Sequence, residues 1–249
     1  MIELKTSREI SIMWEANQIV AEALEQLKLK CVVGTTTLEL NEFAEQLARK
    51  TKVECAFKGY RGYSHGLCTS LNEVIVHGIP SSRALEEGDI LSLDFGVLHK
   101  GYYGDAAVTI PIGKVNGKAQ HLMKTTEECL SMAIDQMLPG HRISEVSLAI
   151  QQHAESHGFS VIRDFVGHGI GRQLHEDPQV PNYGVRGSGV RLKKGMVLAV
   201  EPMVSEGDWR VEVLPDGWTA VTRDRSRAAH FEHSVAITEN GPFVLSRLA

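Results

Sequence analysis

The 249-residue sequence predicts a mixed α/β (α+β) fold made of two similar halves, and three observations carry that expectation. Amphipathic helical stripes precede short apolar strands. The order helix, helix, strands occurs twice, and one ten-residue pattern stands in each half. The division falls near residue 116, giving 1–116 and 117–249 within a single domain.

The first half opens on Thr6-Ser7-Arg8-Glu9, a capping box in which Thr and Glu side chains satisfy backbone N–H groups left free at a helix start. Ile10, Met13, Trp14, Val20, Ala21, Leu24 and Leu27 then follow a helical stripe. After a turn at Gly34, the segment Leu38–Lys50 places Leu40, Phe43, Ala44 and Leu47 on one face. Val74-Ile75-Val76 and Ile90-Leu91-Ser92-Leu93 have the composition of buried strands. The second half repeats the order: a helix over Ala119–Leu138, a Pro139-Gly140 break, a helix over Ser144–His157, and strands after Gly158.

The shared pattern is L-x-x-G-x-[IV]-L-x-[LV]-[DE], spanning Leu85–Asp94 and Leu192–Glu201. Each copy is a polar turn with glycine, an apolar strand, and an acid at the strand's end where a hydrophobe would suit the core. If an approximate two-fold axis relates the halves, the strands ending in Asp94 and Glu201 bring their carboxylates together at a central cleft.

Composition excludes several roles. With 26 basic against 31 acidic residues the net charge is -5, which offers no footprint for nucleic acid or an anionic membrane. The N-terminal segment carries acids and lacks the apolar stretch of a secretory signal, and no run reaches the roughly 18 apolar residues of a membrane span. Cysteines at 31, 55, 68 and 129 form no C-x-x-C pair, which argues against a structural zinc or a disulfide framework. They read as free thiols in a reducing cytoplasm, with Cys31, Cys55 and Cys129 as small apolar fillers.

Buried carboxylates repel one another and are costly to desolvate, so several on apolar strands imply a cation between them. Asp94 follows the strand Ile90–Leu93, and Asp105 comes after Gly101-Tyr102-Tyr103-Gly104, a turn able to fold a hairpin back beside Asp94. Glu201 lies in Ala-Val-Glu-Pro-Met, Glu232 in Ala-Ala-His-Phe-Glu-His, and His168 between glycines in Phe-Val-Gly-His-Gly-Ile-Gly. Four carboxylates overcompensate one divalent ion but balance two that share bridging acids. Oxygen donors with one nitrogen suit Mn, Fe, Co or Zn.

The set Asp94-x10-Asp105, His168-Gly-Ile-Gly-Arg-x-x-His175-Glu-x-Pro178, Glu201-Pro-Met and Glu232-His resembles type I methionine aminopeptidase over nearly the whole chain. That resemblance implies the duplicated pita-bread fold, with helices outside a curved, mainly antiparallel sheet. It implies two divalent metal ions: Asp94 on one, His168 and Glu201 on the other, Asp105 and Glu232 bridging. A hydroxide shared by the two ions is then the nucleophile and Glu201 the general base, while His77 and His175 hydrogen-bond the scissile peptide.

Tyr60-Arg-Gly-Tyr63-x4-Cys68-x-Ser-x-Asn72-Glu-Val-x-x-His77-Gly-Ile-Pro80 is similar to the segment lining that family's methionine pocket, and Asp216-Gly217-Trp218 to the site of its pocket tryptophan. The implied substrate-binding set is Tyr60, Tyr63, Cys68, His77, Leu174, His175 and Trp218. Leu174 departs from the family, whose bacterial members usually carry an aromatic there, and this implies one wider pocket wall. The implied function is cytoplasmic removal of the N-terminal methionine from new proteins, by a monomer working near the ribosome, with no membrane or nucleic acid required. An X-Pro aminopeptidase or dipeptidase on the same scaffold, and a non-catalytic peptide-binding module, are the alternatives.

Overall fold

Local capping sets where the helices begin. In the computed structural model, which describes residues 2–249, Thr6 accepts from the Glu9 N–H while the Thr6 N–H donates to the Glu9 carboxylate at 2.8 Å. Helix α1 (Ser7–Lys28) follows, with Met13, Val20, Ala21, Leu24 and Leu27 buried. Thr36 and Glu39 form the same box before α2 (Thr37–Thr51). Helix α3 (Gly117–Asp135) starts two residues before the expected Ala119 because the Asn116 side chain caps it, accepting from the Ala119 N–H at 2.9 Å. Helix α4 (Ile143–Ser156) begins and ends one residue ahead of the expected span.

The strands are β1 (Glu54–Cys55), β2 (Leu67–Leu71), β3 (Val74–Val76), β4 (Ile90–His99), β5 (Tyr102–Pro111), β6 (Ser160–Val161), β7 (Val166–Gly169) and β8 (Glu176–Pro181). The remainder are β9 (Val197–Val200), β10 (Met203–Ser205), β11 (Val211–Val213), β12 (Ala220–Thr222), β13 (Ala228–His230), β14 (Glu232–Thr238) and β15 (Gly241–Val244). The large sheet runs β1-β4-β5-β14-β9-β7-β8, with β2 also on β4 and β15 on β14, and every pairing in it is antiparallel. Two three-stranded sheets, β13-β10-β6 and β11-β12-β3, complete the fold.

Two sequence expectations need correction. Asp94 does not end its strand: β4 runs on through buried Phe95, Gly96 and Val97, because the apolar run resumes after the acid. The hairpin turn is also tighter than Gly101–Gly104. Lys100 and Gly101 alone make it, both with positive φ (49° and 80°), and Tyr102, Tyr103 and Gly104 already belong to β5.

Helices α1 and α2 pack on the β4–β5 side through Ala16, Val20, Leu24, Leu40 and Ala44 against Leu91, Leu93 and Phe95. Helices α3 and α4 cover β9 and β14 through Leu122, Leu130, Val146 and Ile150 against Leu198, Val200 and Val235. The two copies of the shared pattern make matching hydrogen bonds. Gly88 N–H donates to Ile112 at 3.0 Å and Gly195 N–H to Ile237 at 2.9 Å; Leu85 N–H donates to Thr35 at 2.8 Å and Leu192 N–H to His141 at 2.7 Å. This is the pita-bread arrangement of a curled antiparallel sheet with helices outside. All four cysteines are free, and among the described residues no helix is long and apolar enough to cross a membrane.

Candidate active site

The site is a consequence of strand order. Asp94 pairs with Ala107 across β4 and β5, Ala107 pairs in turn with Glu232 on β14, and His168 on β7 faces Ala199 on β9, one strand beyond. Glu201 lies immediately past β9. Asp105, two residues before Ala107, projects to the same face of β5 because side chains alternate along a strand.

His168 depends on its flanking glycines. A Cβ at Gly167 would meet the Ala199 carbonyl oxygen at 2.4 Å, and one at Gly169 the Asp177 carbonyl oxygen at 2.2 Å. Glycine alone lets β7 lie this close between β8 and β9. The His168 Nδ1–H donates to the Gly169 carbonyl at 2.9 Å, so Nε2 keeps its lone pair, 3.5 Å from Glu201 Oε1.

Asp105, His168 and Glu232 each present a ligand atom within 4.8 Å of the others, and all three are buried. Asp94 and Glu201 line the same cavity, whose volume is about 150 Å³. Burial pushes the Asp94 carboxyl up to about 7. The other three acids stand well above the usual carboxylate range, through burial first and mutual repulsion second: Asp105 against Glu232 and Asp94, Glu201 against Asp94 and Asp105, Glu232 against Glu201 and Asp94. Burial, helped by His175, lowers His168 to about 3.

The rest of the cavity is mostly apolar and aromatic, with Arg61 the one other charged side chain, and every pocket residue named from the sequence lines it: Tyr60, Tyr63, Cys68, His77, Leu174, His175 and Trp218. The Tyr63 hydroxyl donates to the Gly78 carbonyl at 3.0 Å, and its ring meets Trp218 edge-on at 5.2 Å. Asp216 accepts from the backbone N–H groups of Trp218 and Thr219, both at 2.8 Å, a side-chain turn that fixes the indole. Burial keeps the Cys68 thiol protonated. His77 has a left-handed backbone (φ 60°) and packs edge-on against Phe165 and Trp218; burial lowers it to about 4. His175 stacks 4.3 Å from the His168 ring, and its Nδ1 lies 2.8 Å from the Tyr60 hydroxyl.

The sequence pattern of metallopeptidase family M24 matches residues 11–239. The chain belongs to this family. It is 48% identical over 248 residues to "Methionine aminopeptidase 1" of Bacillus subtilis, covering 100% of both chains. A crystal structure of methionine aminopeptidase from Thermotoga maritima superimposes with a TM-score of 0.98 at 51% identity, covering 99% of this chain and 100% of that one. An Xaa-Pro dipeptidase from Bacillus anthracis shares the fold, with a TM-score of 0.79 at 24% identity over 99% of this chain but 62% of that one. Membership among the methionine aminopeptidases makes the chain a metallo-aminopeptidase, a hydrolase.

The residues present fit divalent metal. Asp94 Oδ1, Asp105 Oδ1 and Glu232 Oε1 are buried with no hydrogen-bond partner, a cost that a shared cation removes. The donors are carboxylate oxygens plus one imidazole nitrogen with a free lone pair, the set that first-row divalent ions take.

Several site residues escaped the sequence reading. Phe57, Arg61 and Val76 line the cavity and Phe165 packs on His77. Buried Asn17 on α1 accepts the Asp105 N–H at 3.2 Å, steadying that strand position. His230 is buried, and its Nε2 lies 3.7 Å from Glu201 Oε2. Only His230 carried a signal: it stands two residues before Glu232, the spacing of one strand face.

Proposed function

We propose that this enzyme hydrolytically removes methionine from peptide and protein N-termini, using two divalent ions held by Asp94, Asp105, His168, Glu201 and Glu232. The observation that carries the reading is the convergence of these five side chains on a cavity whose other wall is apolar. Residues 1–116 and 117–249 are, on this reading, two copies of one unit forming a single catalytic domain, supported by their matched turns and hydrogen bonds.

When bound, the ions supply Lewis acidity and bring the pKa of a coordinated water near 7. Glu201 takes the proton from the attacking water and returns it to the leaving amine, a task suited to a carboxylate whose proton affinity burial has raised. His77 and His175 are neutral at pH 7 because burial lowers both. They therefore act as N–H donors to the scissile peptide and the developing oxyanion. The Tyr60 hydroxyl lies 2.8 Å from His175 Nδ1, and in the proposed role it donates there, so that the donating hydrogen sits on Nε2.

Buried Tyr63, Cys68 and Leu174 with the partly buried Trp218 offer a surface without charged side chains, matched to an unbranched apolar side chain. A protonated, polarizable thiol suits a thioether. Leu174 is buried and forms part of that surface.

Steady-state hydrolysis of a Met-Gly-Met peptide against an X-Pro peptide by the metal-loaded enzyme tests this specificity. Release of methionine with no X-Pro cleavage is expected. Preferential X-Pro cleavage would overturn it.

A further inference from the structure

We infer that the outer surface of α3 and α4 carries a separate transition-metal site, formed by Glu128, His153 and His157 and suited to a Zn²⁺-like ion. One ligand atom from each of the three lies within 4.8 Å of the others. His153 and His157 are one helical turn apart at the end of α4, so both rings project toward α3, with centroids 4.4 Å apart.

One hydrogen bond prepares a donor. A carbonyl can only accept, so the His157 Nδ1, 2.8 Å from the His153 carbonyl, carries the hydrogen. Its Nε2 is left with the lone pair, the arrangement typical of metal-binding histidines. His153 Nε2–H donates to Glu128 Oε2 at 2.9 Å, and an ion binding between the two displaces that hydrogen, which moves to Nδ1 or to solvent. Two ligands each about 2.0–2.2 Å from one zinc ion stand about 2.8–3.6 Å apart for bond angles between about 90° and tetrahedral. The 2.9 Å spacing lies at the narrow end of that range, so a small separation of the two side chains makes room for the ion.

His121, whose ring centroid is 5.4 Å from that of His157, is within reach as a fourth donor. Lys124 competes for Glu128 at 3.7 Å, but its side chain is 74% exposed and free to swing away. None of the three side chains lines the carboxylate cavity, and the ion would clamp α3 to α4 rather than take part in hydrolysis.

Equilibrium dialysis of the metal-stripped full-length protein against Zn²⁺ alone tests the inference, comparing the wild type with His157→Gln and Glu128→Gln. The wild type should retain one more zinc per chain than His157→Gln, and Glu128→Gln should bind the extra ion at least tenfold more weakly. With Cu²⁺ as probe, electron paramagnetic resonance should show a two-imidazole signal that His157→Gln abolishes. Hydrolysis of the Met-Gly-Met peptide should be unchanged in both variants. Equal zinc counts in wild type and His157→Gln, both folded by circular dichroism, would overturn it.

Discussion

His175 illustrates how burial chooses a chemical role. Desolvation, then the charge of Arg61, lowers its pKa, so at neutral pH it offers a hydrogen bond without a positive charge that would repel a cation nearby. Its proposed partner is the oxyanion, which exists only along the reaction path. His175→Ala should therefore lower kcat by about 100-fold or more while KM moves by only a few-fold, measured by steady-state kinetics on a methionyl peptide. An unchanged kcat would remove His175 from the mechanism. The acids give a second residue-level test. Below an ordinary Asp94 pKa of 3.8 both folded and unfolded chains hold its proton; as pH climbs toward about 7 the unfolded chain ionises while the metal-free fold does not, so stability is lost. Asp105, Glu201 and Glu232 shift in the same direction. The Tm gap between Mn-loaded and metal-free protein should thus widen from about pH 5 to about pH 7.5. A constant gap would show that the carboxylates do not bear this strain.

Among the elements, the N-terminal segment before α1 anchors the loop that carries His175. Lys5 is buried and pairs with the carboxylate of Glu176, whose Oε1 also accepts the Gln173 N–H at 3.1 Å; the Lys5 N–H donates to Gly195. Lys5→Met strands a largely buried carboxylate, so it should cost about 3 kcal/mol by chemical denaturation and lower kcat as the loop loosens. Adding Glu176→Gln to that variant should recover part of the stability. The helix starts were legible because a capping box closes within three residues of sequence. Asp94 was misplaced because an acid within an apolar run reads locally as the end of a strand, whereas β4 continues through it toward the metal-ligand cavity. In the two small sheets β3 was legible, but the strands after Gly158 had no bounds in the sequence: each has two or three residues, too few to display a period, and β3 and β6 pair with strands more than forty positions away.

At the scale of the molecule, the decisive contact is the pairing of β5 with β14, which joins residues more than a hundred positions apart and sets Glu232 across from Ala107, the cross-strand partner of Asp94. The repeated pattern made two acids at one cleft legible, and the hairpin brought in a third. The register that fixes their spacing lay outside local sequence, as did Asn17 and Phe57, which reach the site only through packing. An Xaa-Pro dipeptidase shares the fold; on the proposed reading, the cavity wall of Tyr63, Cys68, Leu174 and Trp218 selects the substrate here. The central claim is that the five side chains matter as holders of metal. Its most direct measurement is methionine release from a Met-Gly-Met peptide by metal-stripped protein, with Mn, Fe, Co or Zn restored one at a time. Negligible release by the stripped protein, recovered on adding at least one ion and absent in Asp94→Ala under every ion, is the predicted result. Full release without metal, or full recovery in Asp94→Ala, would contradict it.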